Sequence, residues 1–470
     1  TSKKNLAFPF HLSNYSQLQF AKTNFVELFC IGGVMANNWE QLYKEKLQSA
    51  EEAVGLIPDG SHIIQTIGFA EPPAILREIN VGAKQNRWTE LHMYSLLPLA
   101  ATREYLLAEE VRDVIHWHSL YASAGDRDFL ASGVADFIPN YFHQVPRLVS
   151  EFIQNDVCIT TVSPMDQNGY MSFGVSVDYT STAARVAKKT IVQVNENMPR
   201  VHGDSFIHVS EVDAIVEENS SIPELPTPAR RDEDDAMGEI IAEMVPDGAT
   251  IQLGIGGVPN AVAQSLKNHK DLGIHTEMFT DSMVDLIQDG VATGSNKTFH
   301  PGKALWAFAA GSRRMYDFLD DNPVIEARPV SYTNFPPNIA RNNSLVSVNS
   351  TIEVDFTGQC CSESIGTLQY SGTGGQHDFA RGAFDSPGGK SIVAFYSTAK
   401  SGTLSRVVPV LKPGAVVTTP RMEVNYLVSE FGAAQLKGKS IPERTKAIIG
   451  LAHPQFRDEL THEAKQMGYL

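Results

Sequence analysis

The stretch GEIIAEMVPDGATIQLGIGGVPNAVA, residues 238–263, has a counterpart earlier in the chain, EEAVGLIPDGSHIIQTIGFAEPPAIL, residues 51–76. Each copy has the pattern of a helix, a Pro-Asp-Gly turn, an apolar strand, a glycine-bearing loop, a proline and a second helix. Proline sets φ and glycine accepts a positive φ, so Pro-Asp-Gly predicts a tight turn. A nearly continuous apolar strand is typical of a parallel sheet that is covered on both faces. The repeat therefore predicts an α/β fold of two structurally related α/β domains with mostly parallel sheets.

A polar, proline-rich and charged stretch separates the two copies. EENSSIPELPTPARRDEDDA, residues 217–236, is typical of an exposed linker. A chain of 470 residues is also too long for a single hydrophobic core. We therefore predict an N-terminal extension at 1–38, an N-terminal α/β domain at 39–222 and a C-terminal α/β domain at 223–470.

Charge and composition argue against several classes of binding partner. The formal net charge is −16, whereas general nucleic-acid binding needs a basic surface. No stretch has the roughly 20 apolar residues that a membrane helix needs. Four cysteines in so long a chain are not a disulfide framework, and the vicinal pair Cys360 and Cys361 favours a buried structural role. We expect a cytoplasmic protein, or a mitochondrial matrix protein if the first residues are a leader, that binds neither nucleic acid nor membrane.

The second copy of the repeat carries a glycine cluster where the first has a single glycine. In LGIGGVPNAV, residues 253–262, the glycines allow backbone N–H groups to approach a ligand, and the helix N-terminus that follows favours an anion. A tight turn would explain the glycines equally well. Glu277 follows Gly256 by 21 residues, which suits an acid that binds a ribose in a dinucleotide fold. Pro259 stands where the third glycine of that pattern would fall, which counts against a dinucleotide.

The segment around Glu277 has the alternation of a strand. In LGIHTEMFTD, residues 272–281, alternation places His275, Glu277 and Phe279 on one face. An acid flanked by apolar groups is partly desolvated, and either a paired structural acid or a nucleophile fits that setting. A second glycine cluster, QYSGTGGQHDFARGAFDSPGGK at 369–390, favours the nucleophile. A dinucleotide domain has no need of it, whereas an enzyme that acts on a thioester needs backbone donors for an oxyanion.

Together these segments resemble class I CoA-transferases, in the branch of acetyl-CoA hydrolase/transferases and 4-hydroxybutyrate CoA-transferases. The resemblance covers most of the chain outside the N-terminal extension, and its implied fold is the CoA-transferase family I fold. Besides the two glycine clusters and the segment of Glu277, it is carried by VSPMDQNGYMSFGVSVDYT (162–180), NENMPRVHGDSFIHVSEVD (195–213) and VSVNSTIEVDFTGQ (346–359).

The resemblance implies roles for individual residues. Glu277 matches the nucleophile that becomes a glutamyl-CoA thioester, and Gly375 matches a glycine whose amide serves the oxyanion site. The loop from Gly254 to Val258 matches one that lies along CoA and helps to form that site. The implied catalytic residues are Glu277, Gly375 and Val258, and the implied CoA-binding residues are Gly254, Ile255, Gly256, Gly257, Val258, Asn334, Ser371, Gly375 and Lys400.

The resemblance also implies an activity. We expect an acyl-CoA:carboxylate CoA-transferase for acetate and a short-chain acyl group such as butyrate or 4-hydroxybutyrate, working by ping-pong through glutamyl-CoA. An acetyl-CoA hydrolase that uses the same glutamate is the nearest alternative. An NAD-dependent dehydrogenase and a non-catalytic CoA-binding regulator are more distant ones.

Coenzyme A enters this scheme as a substrate, so we expect no cofactor and no metal. His116 and His118 fit surface or core histidines better than zinc ligands. His377 stands where many members of the family carry a small apolar residue, which leaves the shape of the acyl pocket open. We also expect a homo-oligomer.

Overall fold

Two mainly parallel β-sheets organise the chain, and each contains the strand that follows one Pro-Asp-Gly turn. The computed structural model describes residues 38–226 and 229–470, and Trp39 to Leu470 form one compact unit. Apart from Asn38, the predicted extension lies outside the described residues. The domain boundary between residues 222 and 223 stays a prediction.

The first sheet has seven strands in the order β4-β3-β2-β1-β5-β7-β9, and all six neighbouring pairs are parallel. Its interior strand β5, VCITTV, is buried along its whole length, as expected for a sheet with both faces covered. The strands of this half are β1 His62–Gln65, β2 Leu91–Leu96, β3 Ile115–Tyr121, β4 Asp136–Phe137, β5 Val157–Val162, β6 Tyr170–Ser172, β7 Lys189–Val194, β8 Phe206–His208 and β9 Ala214–Glu217. Its helices are α1 Trp39–Lys46, α2 Ala50–Val54, α3 Pro73–Lys84, α4 Ala100–Tyr105, α5 Arg127–Ser132, α6 Val145–Arg147 and α7 Thr180–Val186.

The second sheet has six strands in the order β11-β10-β16-β21-β25-β26, and only the edge pair β25–β26 is antiparallel. The strands of this half are β10 Thr250–Leu253, β11 Gly273–Ile274, β12 Met278–Phe279, β13 Ala304–Trp306, β14 Phe308–Ala309, β15 Ile325–Ala327, β16 Leu345–Ser350, β17 Glu353–Asp355, β18 Cys360–Cys361, β19 Ser364–Ile365, β20 Leu368–Gln369, β21 Lys390–Ala394, β22 Thr398–Ala399, β23 Leu404–Ser405, β24 Val407–Val408, β25 Tyr426–Ser429 and β26 Gly432–Gln435. Its helices are α8 Asp232–Ala242, α9 Gly257–Ser265, α10 Asp281–Gln288, α11 Arg313–Leu319, α12 Val330–Thr333, α13 Pro336–Ile339, α14 Gln376–Asp385, α15 Ile441–Leu451 and α16 Pro454–Gln466.

The two copies of the repeat have the same turn chemistry, which confirms the prediction of two related α/β units. Gly60 and Gly248 have φ of 72° and 75°. In the first copy the carboxylate of Asp59 accepts from the Thr89 amide at 2.6 Å, just before the next strand. In the second copy the carboxylate of Asp247 accepts from the Lys270 amide at 2.9 Å, again before the next strand.

The prediction of an exposed linker over 217–236 was wrong at its C-terminal end. Helix α8 begins at Asp232, and four acidic residues occupy its first turn, where the positive end of the helix dipole favours them. Asp234 is fully buried and accepts a hydrogen bond from the Tyr396 hydroxyl at 2.6 Å. The charge run that suggested a solvated linker is therefore in part a helix N-terminus packed into the protein.

The prediction of one continuous strand around Glu277 was also wrong. Strand β11 pairs with β10 in the second sheet, whereas β12 pairs with β14 in a separate two-stranded sheet. Glu277 lies on the segment that crosses between them. His275, Thr276, Met278 and Phe279 are all buried, because this crossing segment is covered on both sides.

Other expectations from composition can be checked in the described residues. Cys360 and Cys361 are unpaired and fully buried, which confirms the predicted burial. His116 is exposed on β3, and His118 is partly buried and stacks on Tyr94. Among residues 38–226 and 229–470, no helix is long and apolar enough to span a membrane.

The N-terminal and C-terminal halves also join through a short backbone pairing. Gly203, with φ of 117°, bridges Ala327 of β15. The Ala327 amide donates to the His202 carbonyl at 2.8 Å, and the Asp204 amide donates to the Ala327 carbonyl at 3.0 Å. A Cβ atom at position 203 would lie 2.1 Å from that carbonyl oxygen.

We predict that Gly203→Ala destabilises the protein more than Gly133→Ala. Gly133 also has a positive φ, of 72°, but a Cβ there meets nothing within 4 Å. Alanine in the left-handed region costs about 1–2 kcal/mol at either position, and the clash at 203 adds about 1–3 kcal/mol. Thermal unfolding of both variants measures the difference. Equal shifts in Tm would contradict the pairing between the halves.

Candidate active site

A cavity of about 350 Å³ lies where the carboxyl ends of both sheets meet. The ends of β1, β2 and β3 contribute Ile67, Leu96 and Tyr121 to its wall, and the ends of β10, β16 and β21 contribute further residues. In open α/β sheets, ligands bind outside the carboxyl ends of the strands. This cavity is therefore the place where the fold itself favours a ligand site.

Glu277 is held at this cavity by its backbone. Its carbonyl oxygen accepts hydrogen bonds from the amides of Ala307 and Phe308, at 3.0 and 3.2 Å. Glu277 is the one partly accessible residue in the run 272–280, and it lines the cavity. Because the chain crosses from one sheet to the other at this point, the carboxylate of Glu277 lies at the edge of both sheets.

The carboxylate of Glu277 is bound by neutral donors. Asn334 Nδ2 donates to Oε2 at 2.5 Å, and the backbone amide of Gly375 donates to the same carboxylate. Within the described part of the chain, Glu277 forms no ion pair with a lysine, arginine or histidine. A structural acid buried in this way normally has a cationic partner, so the paired structural acid considered above does not fit.

Burial raises the pKa of Glu277 to about 8, with further increases from the negative charges of Asp378 and Asp178. The hydrogen bonds from Asn334 and Gly375 act in the opposite direction. Burial also raises the pKa of Asp178 to about 6. The site therefore favours an uncharged Glu277 until a ligand or a higher pH changes that balance.

His275 helps to fix the position of Asn334, which donates a hydrogen bond to Glu277. Its Nε2 atom lies 2.7 Å from the carbonyl oxygen of Thr333, and its Nδ1 atom lies 2.7 Å from Asn342 Nδ2. A carbonyl can only accept, so Nε2 carries the proton and Nδ1 accepts from Asn342. Burial lowers the pKa of His275 to about 3, which keeps this neutral tautomer. The bond to Thr333 fixes the end of α12, from which Asn334 reaches Glu277.

Gly375 is a glycine because of a close approach and not because of its backbone angles. It precedes α14 and has φ of −95° and ψ of 8°, which other residues also adopt. A Cβ atom at this position would lie 1.9 Å from Glu277 Oε2 and 2.3 Å from Asn334 Nδ2. The missing side chain lets the amide and the helix N-terminus face the carboxylate directly.

The glycine loop predicted to bind CoA forms another part of the cavity. Gly254, Ile255 and Val258 line the same cavity as Glu277 and Gly375, whereas Gly256 and Gly257 face a neighbouring cavity on the other side of the loop. The loop joins β10 to α9, and Pro259 lies in the first turn of that helix, as predicted. The first amides of a helix have no partner within it. The amides of Gly257 and Val258 therefore form no hydrogen bond within α9.

The remaining predicted CoA contacts lie apart from the cavity wall. Asn334 is fully buried behind Glu277 and bonds it. The hydroxyl of Ser371 donates to the Ser362 carbonyl at 3.1 Å, beside the cavity. Lys400 lines a second, more polar cavity, which shares Tyr396 and Arg406 with the first. His377 stacks on Tyr141 with ring centroids 4.7 Å apart, outside the residues that line the cavity.

Sequence reasoning missed much of the cavity wall. Ile67, Leu96, Leu97, Tyr121 and Phe142 all come from the N-terminal half. The first four lie at the carboxyl ends of β1, β2 and β3, which is where an open α/β sheet binds ligands. Only the first of these strands was predicted from the sequence. On the opposite wall, Arg406 and the reciprocal amide pair of Gln252 and Asn349 have no local motif that marks them.

Comparison with known sequences identifies the family. The N-terminal domain of acetyl-CoA hydrolase/transferase matches residues 34–226, and the C-terminal domain of the same family matches residues 311–464. The chain belongs to the acetyl-CoA hydrolase/transferase family. This membership confirms the resemblance and counts against the dehydrogenase alternative.

Individual relatives cover nearly the whole chain. The chain is 46% identical over 429 residues to 4-hydroxybutyrate coenzyme A transferase of Clostridium kluyveri, which covers 91% of this chain and 99% of that one. It is 44% identical to succinyl-CoA:cyclohexane-1-carboxylate CoA transferase of Geobacter metallireducens, with 92% and 97% covered. The crystal structure of RipA from Yersinia pestis superposes with a TM-score of 0.89 at 45% identity, covering 92% and 100%. An acetyl-CoA hydrolase of Yarrowia lipolytica is more distant, at 25% identity over 66% of each chain.

We predict that Glu277→Gln raises stability relative to the wild type as pH increases. The pKa of Glu277 rises from an ordinary 4.5 to about 8 in the folded protein, so the folded state binds more protons between these values. Wild-type stability then falls as pH rises through that window, and a neutral glutamine lacks this loss. The difference in Tm should be near zero below pH 4.5, grow with pH and level off above pH 8.

Thermal unfolding of both proteins between pH 4 and 9 checks this expectation. Glu104→Gln is the matched control, because Glu104 is exposed on α4 and its replacement should show no such growth. A Glu277→Gln difference that stays flat across the range would show that the carboxyl is not held in an environment that favours its neutral form.

Proposed function

We propose that this protein is an acyl-CoA:carboxylate CoA-transferase that works by ping-pong through a glutamyl-CoA thioester on Glu277. The observation that carries the proposal is a cavity-lining carboxylate that is desolvated and bound by two neutral donors, Asn334 and Gly375. A carboxylate is a weak nucleophile, and partial desolvation next to oxyanion donors is what its attack on a thioester needs. Proposed substrates are acetate and short-chain acyl-CoA, in line with the names of the relatives.

In the proposed first half-reaction, an oxygen of the Glu277 carboxylate attacks the thioester carbonyl carbon. The carbon–sulfur bond breaks, CoA leaves as a thiolate, and a mixed anhydride joins the acyl group to Glu277. The thiolate then attacks the side-chain carbonyl carbon of Glu277, and the first carboxylic acid departs as its carboxylate. The enzyme now carries CoA on Glu277, and an incoming carboxylate reverses both steps with its own acyl group.

The proposed half-reactions place an oxyanion first on the acyl carbon and then on Glu277 itself. The Gly375 amide is already directed at the Glu277 carboxylate, which suits it to the second oxyanion. Val258 lines the same cavity and lies in the first turn of α9, so we propose its amide as the donor for the first. Helix N-termini stabilise negative charge that develops near them.

Each step of this scheme is a substitution at a carbonyl carbon, so it uses no change of oxidation state. We therefore propose that CoA takes part as a substrate and that the reaction needs no redox cofactor. We also propose that it needs no metal, because hydrogen-bond donors stabilise the oxyanions. A homo-oligomeric state and a cytoplasmic location stay predictions.

We predict that acyl-CoA alone loads CoA onto Glu277. Sodium borohydride added after acyl-CoA should inactivate the enzyme, because it reduces the thioester to an alcohol. Mass spectrometry should place the change in the peptide that contains Glu277. Wild type treated with free CoA and Glu277→Gln treated with acyl-CoA are the controls, and neither should be modified. Modification of another residue would overturn the assignment.

The same preparation separates a transferase from a hydrolase. Thiol release from acetyl-CoA is followed with and without an added carboxylate. A transferase should form the new acyl-CoA when the acceptor is present and release little free thiol without it. Rapid thiol release that does not depend on the acceptor would identify a hydrolase with the same nucleophile.

We predict that Gly375→Ala keeps the backbone N–H but loses turnover by roughly 100-fold, the typical effect of misplacing a reacting group by about 1 Å. The added Cβ would displace the carboxylate of Glu277 or the amide of Asn334, while the local backbone angles accept alanine. Turnover per folded molecule, Tm and CoA affinity are measured together.

Gly450→Ala serves as the control, since a Cβ at that position in α15 meets nothing within 4 Å. It should keep normal turnover. Gly375→Ala should keep its Tm and CoA affinity and lose turnover. A variant that melts early but turns over normally once folded would remove Gly375 from the catalytic residues.

A further inference from the structure

The start of helix α14 supplies the amide that binds Glu277, and an acid lies just beyond it. Gly375 immediately precedes the helix, and Asp378 follows Gly375 by three positions. An acid at that position commonly accepts a hydrogen bond from the backbone N–H of the residue before the helix, in the arrangement called a capping box. The Gly375 N–H is instead directed at Glu277. The acid and the catalytic site therefore have a claim on the same donor.

Other helices of this chain do close a capping box. The Arg231 amide donates to Asp234 at 3.0 Å at the start of α8, and the Ser440 amide donates to Glu443 at 2.7 Å at the start of α15. The residues before these helices have extended ψ angles of 155° and 164°, whereas Gly375 has ψ of 8°. Both conformations are sterically allowed. A capping box in α14 would require Gly375 to rotate, and its N–H would then turn from the cavity to the acid.

The carboxylate of Asp378 is held by one residue of the N-terminal half. Its Oδ1 atom lies 2.7 Å from His143 Nδ1, and its Oδ2 atom accepts from the His143 backbone amide at 3.1 Å. A carboxylate can only accept, so Nδ1 carries the proton in this bond. Asp378 is fully buried, and among the described residues His143 is the only lysine, arginine or histidine within ion-pair distance of it. Both oxygens of this buried acid are thus satisfied away from the Gly375 N–H.

His143 lies on a short 3₁₀ turn that touches the same glycine cluster. The amide of Phe142, the residue before it, donates to the Gly374 carbonyl at 3.3 Å. This bond joins backbone atoms, so no substitution of His143 removes it. The imidazole also lies 6.1 Å, between ring centroids, from Phe335, which follows Asn334 in the chain. The imidazole can therefore be replaced without breaking the backbone bond between the turn and the glycine cluster.

Building on the transferase function proposed above, we propose that His143 is a positioning residue for that reaction. It keeps Asp378 from closing a capping box, so that the Gly375 N–H stays available to Glu277 and to the oxyanion that forms there. Without the imidazole, Oδ1 of Asp378 loses its donor inside the protein, which is unfavourable for a buried acid. The first N–H groups of α14 have no partner within the helix. They are the donors to which the acid then turns.

A double-mutant cycle on His143 and Asp378 tests the proposal. His143→Leu fills much of the space of the ring without a donor, and Asp378→Ala removes the competing acid. In the wild-type background, His143→Leu should lower kcat by about 100-fold, as for the loss of one oxyanion donor, at unchanged CoA affinity. In the Asp378→Ala background, the same substitution should lower kcat by less than about threefold, because nothing then competes for the amide.

Turnover is measured with butyryl-CoA and isotope-labelled acetate, and CoA affinity by calorimetry. Burial raises the pKa of Glu277 and the negative charge of Asp378 raises it further, so Asp378→Ala changes turnover by itself. Both members of the second comparison lack this charge, and their ratio is independent of it. Equal losses in the two backgrounds would overturn the proposal, because His143 would then act by packing, for instance against Phe335.

His143→Asn is the conservative variant. Its side-chain amide replaces the Nδ1 donor, so kcat should stay within about tenfold of the wild type, well above that of His143→Leu. His462→Leu is the control, since His462 is exposed on α16, and it should keep wild-type turnover. If His143→Leu does not fold by itself, the other variants still decide. A folded His143→Asn with a loss of about 100-fold, or a double variant far below Asp378→Ala, would overturn the proposal.

The wild type separates this proposal from the transferase function. If acyl-CoA loads no CoA onto Glu277 and no labelled acetyl-CoA forms, the transferase function fails, and the role of His143 in it fails as well. If the wild type transfers CoA but the two backgrounds show equal losses, the transferase function holds and only the role of His143 fails.

Discussion

The rest of this structure depends on one carboxylate, that of Glu277, which has no cationic partner among the described residues. Glu277 is held by an amide side chain and a backbone N–H, both neutral, and burial raises its pKa to about 8. A nearby lysine or arginine would pair with this group and lower both its pKa and its reactivity. The structure instead supplies dipoles: the Asn334 amide, the Gly375 N–H and the N-terminus of α14. Dipoles fixed in this way stabilise negative charge without forming an ion pair.

The fold achieves this by bringing two parallel sheets together at their carboxyl edges. Glu277 lies on the segment that leaves one sheet at β11 and enters another pairing at β12. Its carbonyl is tied to Ala307 and Phe308, and His275, two residues earlier, fixes the position of Asn334 through Thr333. The carboxylate, its donor and the backbone that carries both are therefore linked by hydrogen bonds, which limits the movement of the carboxylate.

Both halves of the chain line the cavity. The N-terminal half provides mainly apolar side chains, and the C-terminal half provides the glycine loop, the amide pair, Arg406 and further apolar side chains. The left-handed backbone of Leu97 and its close contact with Gly68 hold the N-terminal part of this lining in place.

Local sequence was enough to determine the repeated α/β unit, since Pro-Asp-Gly turns and apolar strands act through neighbouring residues. It also singled out the glycine loop at Gly254 and, through family resemblance, Glu277 and Gly375. Predictions from local sequence patterns were wrong where the structure depends on contacts between segments far apart in the chain. The acids after Asp232 suggested a linker because their burial against Tyr396 comes from a residue far along the chain. The alternation around Glu277 suggested one strand because the partners of β11 and β12 cannot be read from that segment.

Only the tertiary structure decided what surrounds the carboxylate. Asn334, which the resemblance places among the CoA contacts, is buried behind Glu277 in the folded chain and donates to its carboxylate. Gly375 is required because a Cβ would collide with Glu277, a side chain almost a hundred positions earlier in the chain. Ile67, Leu96 and Tyr121 reach the cavity from strand ends in the other half of the molecule. Each of these is a contact between segments that are remote in sequence, and side-chain packing in three dimensions alone determines which of them meet.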